Sequence, residues 1–277
     1  MRLAPTFALA AVAFWAAAAA AQAPAASGLQ ERYAALRERL DQSPYGRPLW
    51  LDSREGARTL EGDAFAVLAR PFGQVMGALG PLEHWCDALI LPFNVKRCTT
   101  RAATANLSLW VGPKADSSES LAARLDFEYS IAAHASDYFE LALKAREGPL
   151  GTRDYRIVLR AIPIDADRTF IHLTYSYGFG ALGKVAMHTY LATAGASKVG
   201  FSRDGQGFVG GMRGVMERNT MRYYLAIDAY LASLEAPPAA RAAKRLNDWF
   251  TAIERYPRQL GEGITRPQYL AMKAGVN

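Results

Sequence analysis

The middle of the chain constrains the fold more than any other part, because five successive segments alternate apolar and polar residues with a period of two. Leu107, Leu109 and Val111 alternate with Ser108 and Trp110; Leu125, Phe127, Tyr129 and Ile131 alternate with Asp126, Glu128 and Ser130. Phe139, Leu141 and Leu143 come next, then Tyr155, Ile157 and Leu159, and finally Ile171, Leu173, Tyr175 and Tyr177. Successive side chains on a strand point to opposite faces, so each apolar set belongs to one side of its strand. Turns between them, such as Ala-Ser-Asp137 and Asp165-Ala-Asp167, are short enough for hairpins. The pattern predicts an antiparallel sheet with one dry face and one solvated face.

The dry face needs a cover, and helical spacing on both flanks supplies candidates. Leucines and a tyrosine recur through 29–40, and two further strands are expected at 49–53 and 58–68. A helical stretch opens at Pro71 and runs to Trp85. After the strands, 181–194 reads as one helix and Gly207 to Leu234 as a longer one, with Met212, Val215, Met216, Asn219, Tyr223, Ile227 and Tyr230 in a stripe. Pro237-Pro238 ends it. A last helix, Ala239 to about Tyr256, carries Trp249 and Phe250 among basic residues, and could pack on the domain or rest on an anionic surface. The residues after Gly261 read as a loosely held tail, and the glycines at 205–211 as a hinge or mobile loop.

The N-terminus carries a different signal. Arg2 precedes an apolar run from Phe7 to Ala21, followed by Ala21-Gln22-Ala23, the three-part pattern of a cleavable export leader covering residues 1–23. Localisation in a periplasm or outside the cell follows as an expectation. Two cysteines, Cys86 and Cys98, are an even count for an oxidising compartment and are expected to pair. The formal charge of +6 is spread along the chain, with no basic-aromatic module for nucleic acid. The domain plan is then an N-terminal helix and linker over 24–48, a main domain over 49–236, and a C-terminal helix and tail over 237–277.

The order strand, proline, helix and tryptophan in Phe65-Ala-Val-Leu-Ala-Arg-Pro71-Phe-Gly-Gln-Val75, with Leu79 and Trp85, resembles the opening of START-like (SRPBCC, helix-grip) domains. The paired runs 155–163 and 169–175 resemble the late strands of that superfamily. The resemblance covers about residues 58–234 and implies an α+β helix-grip fold: a curved antiparallel sheet wrapped around a long C-terminal helix, here with extra N- and C-terminal helices. It also implies a hydrophobic cavity. The candidate lining is Phe127, Tyr129, Leu141, Tyr155, Ile157, Leu159, Leu173, Tyr175, Tyr177, Met212, Met216 and Tyr223, an apolar set with a few hydroxyls. A filled core is the alternative account of the same side chains.

Catalytic signatures are sparse. His84, His134, His172 and His188 are scattered without metal-ligand spacing, and no GxSxG elbow occurs. No cofactor or metal is implied. The expected function is an exported binder of a lipid or other hydrophobic small molecule, with peripheral membrane contact as an accompanying expectation. Two rivals stand beside it: a polyketide-cyclase-like enzyme, which needs an ionisable residue pointing into the cavity, and a non-catalytic envelope scaffold with a solid core.

Overall fold

The computed structural model describes residues 8–112, 119–193, 195–196, 198–205 and 207–274, with side chains described from Ala25 onward. The expected leader, 1–23, therefore lies outside the described side chains. Helix α1 (Ala8–Asp41) leads into strands β1 (Leu49–Glu55) and β2 (Thr59–Leu68). Short helices α2 (Phe72–Leu79) and α3 (His84–Leu89) follow. The single stretch expected from Pro71 to Trp85 is thus broken at Gly80-Pro81. The Trp85 indole donates to the Leu79 carbonyl at 2.8 Å, satisfying an orphan acceptor at the end of α2.

Six strands come next: β3 (Val95–Arg101), β4 (Asn106–Val111), β5 (Ala123–His134), β6 (Phe139–Glu147), β7 (Thr152–Pro163) and β8 (Thr169–Phe179). With β1 and β2 they form one curved antiparallel sheet in the order β1-β2-β8-β7-β6-β5-β4-β3. The strand β3 was not anticipated. Its sequence, VKRCTTR, carries charges where an alternating strand would carry apolar residues, and it forms as the sheet edge by pairing with β4. The Cys86–Cys98 disulfide ties α3 to this edge. At the end of β5 the alternation breaks: the register slips between Ile131 and Ala133, and Ile131, expected inward, is largely exposed.

After β8 the chain forms α4 (Ala181–Ala192), then a small hairpin of β9 (Arg203–Asp204) and β10 (Gly207–Phe208) where a hinge was expected. The long helix α5 (Gly211–Ser233) follows, starting after Gly211 at φ +60°, a conformation that favours glycine. The helix crosses β2 closely. A Cβ on Gly62 would lie 2.3 Å from Thr220 Oγ1 and 2.8 Å from Met216 Cγ, so only glycine lets helix and strand meet there.

Helices α6 (Pro238–Glu254), α7 (Pro257–Leu260) and α8 (Arg266–Lys273) complete the chain. The expected loose tail is instead anchored. Tyr269 is fully buried against Phe93, Trp249 and Phe250, and the Lys273 ammonium donates to the carbonyls of Ile90, Pro92 and Val95 at 2.6–2.9 Å. Because Trp249 and Phe250 are spent in this cluster, the aromatic side of α6 is not free to lie on a membrane.

The outer sheet face also differs from expectation. Where solvent was predicted, Leu29, Leu36 and Leu40 of α1 cover Phe65, Tyr138, Ile162 and Phe170 in a second, smaller core. Both faces of β2 are therefore covered, which explains its nearly unbroken burial from Gly62 to Ala66. Within this face His172 Nε2 donates to Asp63 at 2.7 Å, and the same carboxylate accepts from Thr174 and pairs with Arg54. These bonds outweigh burial and hold the Asp63 carboxyl below its ordinary range.

Candidate functional site

The register of the sheet decides where the interior is solid and where it is open. Leu141, Leu159, Leu173 and Ala64 stand opposite one another across β6, β7, β8 and β2, all buried completely. One step along, Leu143, Ile157, Tyr175 and Gly62 form the next inward row. Helix α5 presses on the Gly62 end of these rows through Met216 and Thr220. On the other side the helix stands away from β4 and β5, and a cavity of about 770 Å³ lies between them. That volume falls within the roughly 300–1,000 Å³ typical of small-molecule pockets.

Each wall has a distinct character. Leu109, Val111, Leu125 and Phe127 present an apolar surface from β4 and β5. Tyr155, Tyr175 and Tyr177 come from β7 and β8, and Tyr223 faces them from α5. These four rings form a cluster, with Tyr155 and Tyr177 stacked at 5.2 Å and Tyr175 against Tyr223 at 5.0 Å between centroids. Burial raises the pKa of all four phenols, Tyr223 to about 12, so each stays a neutral hydrogen-bond donor near neutral pH. Tyr155 already donates to Thr152 Oγ1 at 2.8 Å. At the mouth, Gly183 and Met187 of α4 face Pro149 and Leu150. Leu150 adopts a left-handed backbone, φ 57°, and remains 67% exposed although it borders an apolar hollow.

The fourth wall is charged. Val215, Arg218, Asn219, Arg222 and Tyr223 recur at three- and four-residue spacing, so one stripe of α5 faces the cavity. Arg222 pairs with Glu262 at 2.5 Å and reaches Asn219 Oδ1 at 3.2 Å. Lys198 shares the same Glu262. The loop carrying Lys198 is latched to the helix by Glu217, which accepts from the Phe201 and Ser202 amides at 2.6 and 2.8 Å and from Ser53 Oγ at 2.7 Å. Gly200 fits there because a Cβ would lie 3.0 Å from the Gly214 Cα and closer still to Glu217.

Of the twelve candidate lining residues, the structure brings Phe127, Tyr155, Tyr175, Tyr177 and Tyr223 to the cavity. Leu141, Ile157, Leu159 and Leu173 are fully buried in the core and do not line the hollow, and Met216 is wedged on Gly62. Met212 is buried in the core away from the lining. Tyr129 leaves the wall to donate its hydroxyl to the Gly80 carbonyl, tying β5 to the turn between α2 and α3. Arg218, Arg222, Lys198 and Glu262 were missed. The available signal was two arginines, four apart, on the stripe of a helix otherwise destined for the core.

A curved antiparallel sheet gripping a long C-terminal helix beside a cavity is the helix-grip arrangement that the sequence resemblance implied. Solved structures similar to the chain include human StAR-related lipid transfer protein 5, at 10% identity and TM-score 0.39, over 77% of this chain and 99% of that one. A START superfamily protein from Mycobacterium smegmatis aligns at 11% identity and TM-score 0.32, over 48% and 91%. A Streptomyces aromatase/cyclase aligns at 13% and 0.35, over 72% and 95%. No protein-family model and no curated protein matches the sequence.

Proposed function

We propose that the protein is an exported carrier that binds one hydrophobic small molecule reversibly in the cavity between α5 and strands β4 and β5. The observation that carries this reading is the 770 Å³ hollow with a continuous apolar wall of Leu109, Val111, Leu125 and Phe127. A cavity of that size lined by such groups gains from removing apolar ligand surface from water. The few hydroxyls fix orientation. Export accords with the three-part pattern at the N-terminus and with a disulfide suited to an oxidising compartment. Among the described residues no helix is long and apolar enough to cross a membrane.

The test is displacement of an apolar fluorescent dye from purified protein, compared with Leu125→Trp, which adds bulk into the hollow. Dye binding is expected to weaken at least about tenfold in the variant, while overpacking costs about 1–3 kcal/mol of stability at most. A wild-type protein that binds no dye, and yields no co-purified ligand by native mass spectrometry, ends the carrier reading.

A second reading, a cyclase-like enzyme, is favoured by the ionisable groups that line the cavity. Its weakness is the lack of a free base among the described lining residues. Glu262 is the carboxylate there, and it is engaged by Lys198 and Arg222. The phenols are held protonated. Arginine orients and stabilises charge but does not exchange protons near neutrality. Binding is the chemistry these groups perform most directly.

A further inference from the structure

We infer that the ligand is an uncharged apolar molecule with a carbonyl oxygen, which accepts a hydrogen bond from the Tyr177 hydroxyl while its carbon body lies against β4 and β5; this rests on the carrier reading and names the ligand class. Tyr177 is 5% exposed and lines the hollow from β8. Its three neighbours in the aromatic cluster already have partners for their hydroxyls. Tyr155 donates to Thr152 Oγ1 at 2.8 Å, and the Tyr175 and Tyr223 hydroxyls interact with each other. Among the described residues the Tyr177 hydroxyl has no hydrogen-bond partner, although its ring is held by Tyr155 at 5.2 Å and Tyr175 at 5.8 Å. Tyr155 and Tyr223 both oppose its ionisation, which places its oxygen near theirs on the cavity wall.

A tyrosine placed here for packing alone gains nothing from its oxygen, because the ring does the stacking. A hydroxyl withdrawn from water without a partner costs free energy, so buried hydroxyls ordinarily find one. Burial opposes ionisation of this phenol, which makes it a neutral donor throughout the neutral range. Its natural complement is an acceptor on the guest. The burial that disfavours a phenolate also disfavours a charged guest atom at the same place, which selects a carbonyl oxygen over a carboxylate. A carbonyl accepts without bringing a donor that needs a partner of its own, as an alcohol would. The charged stripe of α5 does not reverse this choice. Glu262 already engages Lys198 and Arg222, and Arg218 is only 1% exposed. Leu109, Val111, Leu125 and Phe127 then receive the carbon body.

The experiment follows displacement of the bound dye at pH 8 by 2-acetylnaphthalene, its near-isostere 2-ethylnaphthalene and the anion 2-naphthoate, with wild-type protein and Tyr177→Phe. Water holds the ketone better than the hydrocarbon, so the decisive quantity is the effect of the substitution on each competitor. Tyr177→Phe is expected to weaken 2-acetylnaphthalene about fivefold, the scale of one neutral hydrogen bond, and to leave 2-ethylnaphthalene within about twofold. The anion is expected to bind more weakly than the ketone. Equal effects on ketone and hydrocarbon, a tighter anion, or a bound dye that none of the three displaces each overturn the assignment and leave the carrier reading standing. A dye that does not bind at all overturns both. The carbonyl infrared band of carbon-13-labelled 2-acetylnaphthalene on wild-type protein gives a reading that needs no variant. It is expected below its position in hexane, and a band at the hexane position overturns the assignment.

Discussion

At the scale of single residues, Lys273 shows how a surface-seeking side chain becomes structural. Its ammonium is buried, close to Lys96, and donates to three carbonyls at the start of the β-rich region. Burial, with the Lys96 charge adding to it, lowers its pKa from 10.5 to about 7. The unfolded chain therefore holds one more proton than the folded chain between about pH 7 and 10.5, and stability must rise with pH across that window. The penalty is complete below pH 7 and relieved toward 10.5. Denaturant unfolding of wild-type and Lys273→Met at pH 7, 8 and 9 checks this: the wild-type-minus-variant difference should climb by at most about 1.4 kcal/mol per pH unit. A flat difference would mean that the amine keeps its proton throughout.

At the scale of elements, the N-terminal helix packs on the sheet and is more than a linker. Leu29, Leu36 and Leu40 of α1 close a second core over Phe65 and Phe170, with the Tyr33 ring tilted against Phe170 at 5.1 Å. Arg39 sits over Trp50 at 4.8 Å. Leu36→Ala is expected to cost about 2–3 kcal/mol by denaturant unfolding, the usual loss for a buried leucine. A change below about 0.5 kcal/mol would show that α1 does not rest on the sheet. The pattern of 29–40 revealed the helix, since its apolar spacing is local. It could not reveal the docking site, because Ile162 and Phe170 fall on the strand parity expected to face water, and only the helix overhead explains them.

At the scale of the whole molecule, the open side of the sheet depends on its closures. The edge strand β3 is joined to α3 by the Cys86–Cys98 bridge, a separation of 12 residues with Cα atoms 5.4 Å apart. Replacing both cysteines by alanine should lower global stability by on the order of 3 kcal/mol, read as a shifted denaturant midpoint, with reductant giving the same shift in wild-type protein. The C-terminal helices close the other side. Phe93 packs edge-on against Trp249 and Tyr269, and Glu262 reaches back from the loop before α8 to Arg222. This arrangement couples the C-terminal helices to the cavity wall.

What the linear order determined by itself was what has a local period, the alternating strands and the amphipathic helices, together with the break at Pro237-Pro238 and, from an even cysteine count, the disulfide. These follow from short-range geometry, in which a period of two or 3.6 assigns each side chain to a face. The site was only half legible for the same reason. Parity told that Tyr155, Tyr175 and Tyr177 point inward with Leu141, Leu159 and Leu173, but it carries no distance to whatever lies opposite. Gly62 lets α5 lie close on β2, while a hollow remains between the helix and strands β4 and β5. That hollow, and the return of Glu262 and Lys198 to the arginine stripe, was decided by tertiary packing, because volume between elements belongs to no single stretch of chain.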